Sequence, residues 1–268
     1  MSHANFRLIV DEPASGPWNM AVDEALLEAA VAGSDATLRL YQWNEPTLSL
    51  GYFQRYNDRT SHAASRECAV VRRQSGGGAI LHDRELTYSL TLPPGHRLGR
   101  DATVLYNAVH KVFIAVLEPQ LSAAAAESWR LALNGIDSKL APSEEPFLCF
   151  QRRACGDLLL ESRKIAATNS APQAYKILGS AQRRHRGAIL QHGSLLVSTS
   201  PAAPELAGWQ ELTGVMLPLD TLIAGVVRQS SGAFGLELQP AELPVAVHDA
   251  AREIERNKYS SRSWTARR

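Results

Sequence analysis

The sequence predicts a mixed α/β fold, a mixed β-sheet with flanking helices, on three observations. Two segments space their apolar residues as one face of a helix. A run of short β-rich segments is punctuated by Pro, Gly and polar turns. Helix and strand signals alternate with no internal repeat and no low-complexity linker. At 268 residues, 45% of them hydrophobic, the chain can bury one large core, or one core with a small appendage.

The first helix is expected over residues 16–33, with Asn19 as its cap, Asp23 and Glu24 in its first turns, Met20, Leu26, Leu27, Ala30 and Val31 as its apolar stripe, and Gly33 as its stop. TLRLYQW, TLSLGYF, CAVVRR, GAILH and LTYSLTL follow as strands of one sheet. Residues 101–118 form a second helix, placing Val104, Leu105, Val109, Val112, Phe113, Val116 and Leu117 at helical spacing between Asp101 and Pro119. DLLLE, KILGS and AILQHGSLLV read as further strands, and 219–229 and 241–257 as helices. The final KYSSRSWTARR is expected to fray.

Composition excludes several classes. A formal net charge of +1 gives no polyelectrolyte character, so any charged partner must be met by a local cluster. Cys68, Cys149 and Cys155 are odd in number and lack metal-ligand spacing, which fits a reducing compartment better than a disulfide framework. No signal-peptide pattern opens the chain, and no apolar run approaches the ~18 residues of a membrane span. A cytoplasmic location is expected.

Two stretches carry the chemistry. RRQSGGGAILHD, residues 72–83, strips three consecutive side chains from a backbone flanked by arginines. A hairpin turn needs one or two glycines; three leave N–H groups open to close approach by a phosphate or a carbonyl oxygen. The spacing matches neither GxGxxG nor GxxxxGK[ST]. YKILGSAQRRHRGAILQHGSLLV, residues 175–197, reads as a lysine-led strand, a Gly-Ser-Ala-Gln turn, a basic loop and a second strand carrying Gln191, His192 and Gly193. Its plain alternative is a hairpin with a solvated basic tip.

Together, RR-x-SGGGA-x-x-HD and K-I-x-GSAQ-R with LQHGSLL resemble the two signature regions of the biotin/lipoate protein ligase and octanoyltransferase superfamily. NMAVDEALL and YQWNEPTLSLGYFQ extend the likeness over roughly residues 15–200. The resemblance implies a core like that of the class II aminoacyl-tRNA and biotin synthetases, a catalytic domain over 1–235 and a C-terminal helix and tail over 236–268. It also implies an octanoyl or lipoyl chain enclosed by the glycine loop and the lysine strand. The substrate-binding residues it implies are Arg73, Ser75, Gly76, Gly77, Gly78, His82, Gly179, Ser180, Ala181, His192 and Gly193.

Two chemistries share that scaffold. Ligases activate lipoate with ATP, whereas one group of octanoyltransferases uses a cysteine acyl-enzyme. EEPFLCFQRR resembles the Cys-Phe of the cysteine group, HDRELTYSL its HD-x-ELTYS, and the 71 residues after Val197 leave little room for a ligase's second domain. Three glycines, as in many ligases, point the other way. The transferase reading makes Cys149 the nucleophile and needs no cofactor; ATP and Mg belong to the ligase alternative.

A thiol attacks as its thiolate, and at a free pKa of ~8.5 it needs a cation beside it at neutral pH. Lys176 is the candidate, and it can also serve the carbonyl oxygen together with glycine-loop N–H groups. His82 or His192 could transfer protons, with packing as the alternative role for each. Cys68 and Cys155 are expected to be inert. Lys164 also opens a KI pair, but only Lys176 is followed by Gly-Ser-Ala-Gln, so an insertion over 165–175 is expected to separate them. The implied partners are octanoyl-acyl carrier protein and a lipoyl-carrier protein, either glycine cleavage H protein or an E2 lipoyl domain. Between 152 and 186 the chain carries eight Lys/Arg against two acids, and Arg183, Arg184 and Arg186 are the expected docking residues. Neither nucleic acid nor membrane is expected as a partner. A degenerate, non-catalytic acyl-carrier-binding member of the family is the remaining alternative.

Overall fold

The computed structural model describes residues 6–136, 145–163, 173–235 and 237–268. Lys164 and most of the expected insertion lie outside them. In chain order the elements are β1 (Phe6–Val10), α1 (Gly16–Val31), β2 (Ala36–Tyr41), β3 (Thr47–Leu50), β4 (Ala69–Arg72), β5 (Ile80–His82), β6 (Glu85–Leu92), α2 (Ala102–Leu117), α3 (Ala123–Ser128), β7 (Trp129–Leu133), β8 (Leu158–Ser162), β9 (Ala174–His185), β10 (Ala188–Leu196), α4 (Trp209–Thr213), α5 (Leu219–Phe234), β11 (Leu238–Pro240), α6 (Val245–Ile254) and α7 (Arg262–Thr265). The mixed α/β class expected from the sequence is what the chain adopts.

Among the described residues the strands form two sheets, not the expected one. The larger runs β11-β1-β2-β6-β10-β9-β8-β7. The smaller runs β4-β3-β5, with β3 parallel to β4 and antiparallel to β5. The break falls after Tyr41, where Asn44, Glu45 and Pro46 interrupt the strand pattern before β3.

The large sheet is covered on both faces. Leu8, Leu38, Leu40, Tyr88, Leu90, Leu158, Leu160 and Leu178 pack in one core with Leu105, Val109, Phe113 and Val116 of α2 and Leu222 and Val226 of α5. On the opposite face Ile9, Tyr41 and Trp43 pack against Met20, Val22 and Leu26 of α1 and Val247 and Ala251 of α6. Because alternate residues point to opposite faces, the register sets two rows across β2, β6, β10 and β9 on the α1 side. These are Arg39–Ser89–His192–Ala181 and Tyr41–Thr87–Ser194–Gly179. The rows are mostly polar and, apart from half-buried Ala181, buried, and the site forms on them.

Several local expectations are corrected. α1 is capped by Ser15, whose hydroxyl accepts from the N–H of Trp18 at 3.3 Å. Asn19 is instead buried and ties the helix to β2, donating to the carbonyls of Ala14 and Gln42 and accepting from Arg39. The Gly179–Gln182 turn does not exist, since those residues run through the middle of β9 and the chain reverses at Arg186 and Gly187, both at positive φ. The expected frayed end is packed. Tyr259 donates to Glu24 at 2.6 Å, the Trp264 indole N–H donates to the carbonyl of Arg72 at 2.9 Å, and the N–H of Tyr56 donates to the carbonyl of Arg268 at 2.8 Å. Its aromatic residues find partners in α1 and in the small sheet that no local pattern announces.

Candidate active site

Between β4 and β5 the glycine loop crosses over the end of β3. Gly77 takes φ +94°, and an added Cβ at Gly51 would stand 1.9 Å from the carbonyl oxygen of Gly77, so two backbones touch where side chains are absent. Arg73 clasps this loop from within. One guanidinium nitrogen donates to the carbonyl and hydroxyl oxygens of Ser49, both at 2.7 Å, and the other to the carbonyls of Gly76 at 3.1 Å and Gly78 at 2.9 Å. Burial lowers its pKa to about 10. Arg73 therefore fixes the shape of the loop, its two terminal nitrogens engaged by Ser49, Gly76 and Gly78.

Cys149 is brought to that loop by a parallel bridge of Leu148 to Ala79 and by its own N–H, which donates to the carbonyl of Ala79 at 2.7 Å. Its sulfur is 3.9 Å from where a Cβ of Gly77 would be, and its Cα 3.2 Å from that of Gly78. The thiol thus borders a length of backbone with no side chain on it.

Lys176 arrives from the other side. β8 pairs Leu158 with Leu178 but Leu159 with Lys176, so Ile177 is the extra residue of a β-bulge. The bulge reverses the alternation and turns Lys176 onto the face of Gly179 and Ala181. Its Nζ stands 3.9 Å from Cys149 Sγ and 3.4 Å from the Cys149 carbonyl oxygen, and is ion-paired at 2.8 Å with Asp157, a carboxylate with no solvent exposure.

A narrow cleft of about 20 Å³ opens beside the loop, lined by Met20, Tyr41, Trp43, Arg73, Ile80, His82, Thr87, Ala181, His192, Gly193 and Ser194. His192 bridges Ser75 at 2.5 Å and Asp23 at 3.2 Å. His82 stacks on Trp43 with centroids 3.9 Å apart and bonds Ser49 and Glu85, both at 2.6 Å. Burial pushes His82 below the usual histidine range. With both ring nitrogens engaged, the two histidines serve as walls of the cleft. A second groove, lined by Phe150, Gln151, Arg153, Tyr175, Lys176 and Leu206 among others, leads outward from the lysine.

Most of the expected site residues converge here. Ser180 does not line the cleft, because its hydroxyl bonds Tyr88 at 2.6 Å and His110 at 2.7 Å. Arg183, Arg184 and Arg186 are exposed at the far end of β9, and seven residues of strand put Arg183 about 23 Å from Lys176. Cys68 lies in the small-sheet cluster, where burial pushes its thiol up, and Cys155 is exposed. Sequence reasoning missed Asp157, Tyr106, His110 and the use of Asp23, which accepts from Arg39 at 2.9 Å and Tyr41 at 3.0 Å. These contacts join residues 16 or more apart and leave no local signal. Among the described residues no three His, Cys, Asp or Glu gather as a metal site, and no helix is long and apolar enough to cross a membrane.

The architecture is that of lipoate ligases. The chain superposes with TM-score 0.72 and 18% identity on the bipartite lipoate protein ligase of Thermoplasma acidophilum, covering 98% of this chain and 97% of that one, and with TM-score 0.68 and 19% identity on lipoate-protein ligase A bound with ATP, covering 98% of each. These likenesses carry the fold. Residues 15–208 match the lipoyl protein ligase A/B catalytic domain, and the chain belongs to that family. Among its relatives, octanoyltransferase LipM of Kyrpidia tusciae is 30% identical over 98% of this chain and 99% of its own length. That of Staphylococcus aureus is 35% identical over 67% of this chain and 61% of its own length.

Proposed function

We propose that the chain carries an octanoyl group as a thioester on Cys149, taking it from octanoyl-acyl carrier protein and passing it to a lysine of a lipoyl-carrier protein. The chain is an octanoyltransferase of lipoate assembly, in keeping with the relatives it matches along its length. The observation that carries the thioester reading is the placement of Lys176 Nζ 3.9 Å from Cys149 Sγ, with the sulfur against the bare Gly76–Gly78 backbone.

In the first half-reaction the thiolate, its proton already released to solvent, attacks the thioester carbonyl; the tetrahedral oxyanion forms beside the glycine loop and Lys176, then collapses with cleavage of the carrier's C–S bond, and the carrier thiolate leaves and takes up a proton from solvent. In the second, the neutral amine of the acceptor lysine attacks the Cys149 thioester. An amide bond forms, the C–S bond breaks, the sulfur departs as the thiolate, and the amine's proton passes to solvent. Neither step requires ATP. The ammonium of Lys176 stabilises the thiolate at the start of the first step and at the end of the second. The acyl chain enters the cleft walled by Met20, Trp43, Ile80 and His192, whose side chains must part to admit it because the cleft holds only about 20 Å³ as it stands. The cytoplasm, where acyl carrier protein and thiols coexist, is the proposed location.

The test is intact mass after mixing with octanoyl-acyl carrier protein, then with an apo carrier, with and without ATP. One hydroxylamine-sensitive octanoyl adduct, absent from Cys149→Ser, and amide formation without ATP are expected. An adduct that survives Cys149→Ser, or strict dependence on free acid and ATP, would overturn the proposal, the latter in favour of a ligase.

A further inference from the structure

Asp157 holds Lys176 from behind. Its Oδ2 accepts from Lys176 Nζ at 2.8 Å and from the N–H of Ala154 at 2.6 Å, and its Oδ1 accepts from the Tyr106 hydroxyl at 2.6 Å. Tyr106 stands on α2, and its oxygen accepts the N–H of Ser180 at 3.0 Å. Burial, with the adjacent carboxylate, holds the phenol protonated, so toward Asp157 it acts only as a donor.

The Lys176 ammonium therefore has two negative partners: the carboxylate at 2.8 Å and, once ionised, the sulfur at 3.9 Å. Whatever strengthens the carboxylate's hold takes the cation from the thiolate. Each hydrogen bond that Asp157 accepts draws on its charge and loosens that hold. The other charged groups around the pair are few. Arg73 faces the thiol from the glycine loop, the Arg152 guanidinium packs 3.1 Å from where a Cβ of Gly78 would be, and His110 of α2 couples to Lys176. His110 is neutral, its Nδ1 facing the Gly156 carbonyl and its Nε2 facing Ser180.

We propose that Asp157 and Tyr106 are positioning residues that act in opposite directions on the cysteine. The carboxylate draws Lys176 away from Cys149, and the tyrosine hydroxyl, by occupying that carboxylate, limits the draw. This rests on the roles given above to Cys149 and Lys176, but its test needs no acyl substrate.

The readout is the rate of iodoacetamide alkylation against pH in the full chain, followed on the Cys149 peptide by mass spectrometry so that Cys68 and Cys155 are counted separately. Tyr106→Phe removes one donor, and its alkylation midpoint is expected at higher pH. Asp157→Asn removes the competing charge, and its midpoint is expected at lower pH. A half-unit shift corresponds to roughly threefold in rate below the midpoint. Tyr88→Phe deletes a hydroxyl from the same buried network, where it bonds Ser180 and Gln191 with no bond to Asp157. Its midpoint is expected to stay at the wild-type value. A merely structural role would move Tyr106→Phe and Asp157→Asn the same way or not at all, and either result overturns the proposal. If Tyr106→Phe does not fold, Asp157→Asn alone decides, an unchanged or higher midpoint counting against it. A cysteine that titrates as stated yet takes no octanoyl would count against the acyl-transfer reading and leave this one standing.

Discussion

Gly179 lies directly beneath the Lys176 side chain. A methyl group at that α-carbon would stand 2.4 Å from Lys176 Cε and 2.7 Å from Nζ. The bulge at Ile177 turns the lysine back along its own strand, and the glycine three residues on leaves the space it needs.

Gly179→Ala should therefore damage chemistry more than folding. The obstructed atoms are the far end of a flexible side chain, so the lysine can swing aside at little cost in stability. If Cys149 is the nucleophile as proposed, a displacement of about 1 Å from its sulfur is worth on the order of 10²-fold in rate. Octanoyl transfer is expected to fall by that order while the melting temperature stays within a few degrees of wild type. A variant that transfers at the wild-type rate would show that the amine need not sit where it does.

Gly51→Ala meets backbone instead. Its Cβ would stand 1.9 Å from the Gly77 carbonyl oxygen, and neither strand end can yield without shifting the loop that borders Cys149. A loss of about 2–4 kcal/mol in urea unfolding is expected, in the range of severe backbone strain. Slower acyl-enzyme formation should accompany it. Gly33→Ala is the comparison: its φ is +93° with open space around it, so conformation alone costs it about 1 kcal/mol. Equal losses for the two would mean that the contact between Gly51 and Gly77 carries no weight.

The parts of the site legible in the sequence are those written in contiguous residues. The triple glycine, Cys149 ahead of Phe150, and Lys176 ahead of Gly-Ser-Ala-Gln were each visible as short blocks, and the fold brings them together. The meaning of those blocks was less visible. Gly179 reads as a turn because glycine usually marks one, whereas here it makes room for a side chain in mid-strand. Arg73 reads as an anion binder, yet its two terminal nitrogens are engaged by Ser49, Gly76 and Gly78. Asp157 reads as one acid in a basic run, and its bond to Tyr106 spans 51 residues. Such pairings are set by the register of β8, β9 and α2, which no window of local pattern contains.

The C-terminal segment is predicted to be part of the site's support. Arg72 is fully buried, donates to the carbonyls of Gly51, Tyr52 and Gln54, and reaches back to the carbonyl of Thr265 at 2.9 Å. Deleting residues 264–268 would remove that last acceptor together with the Trp264 indole that donates to the Arg72 carbonyl. Leaving a buried guanidinium short of a partner costs about 1–3 kcal/mol, so a lower unfolding midpoint is expected, with slower acylation of Cys149 because Gly51 is held by the same arginine. A truncated chain with wild-type stability and acylation would remove the tail from this role.

Stability should fall toward acid pH, and His110 gives the reason. It is fully buried, and burial lowers its pKa to about 3, against an unfolded value of about 6.5. The sign follows from proton counting. Between these two values the unfolded chain binds a proton at this residue that the folded chain does not, so stability is intact above the unfolded value and drains as pH falls through the window. One proton sets a limiting slope of about 1.4 kcal/mol per pH unit. His82, also pushed down by burial, acts in the same direction. His110→Gln keeps the shape and a hydrogen-bonding side chain but cannot titrate. Urea unfolding between pH 7 and pH 4 should show a shallower loss of stability for this variant than for wild type, by up to one proton's slope, whatever its stability at neutral pH. Parallel curves for the two proteins would mean that His110 takes up its proton in the folded state, and the neutral imidazole that accepts the Ser180 hydroxyl would have to be abandoned.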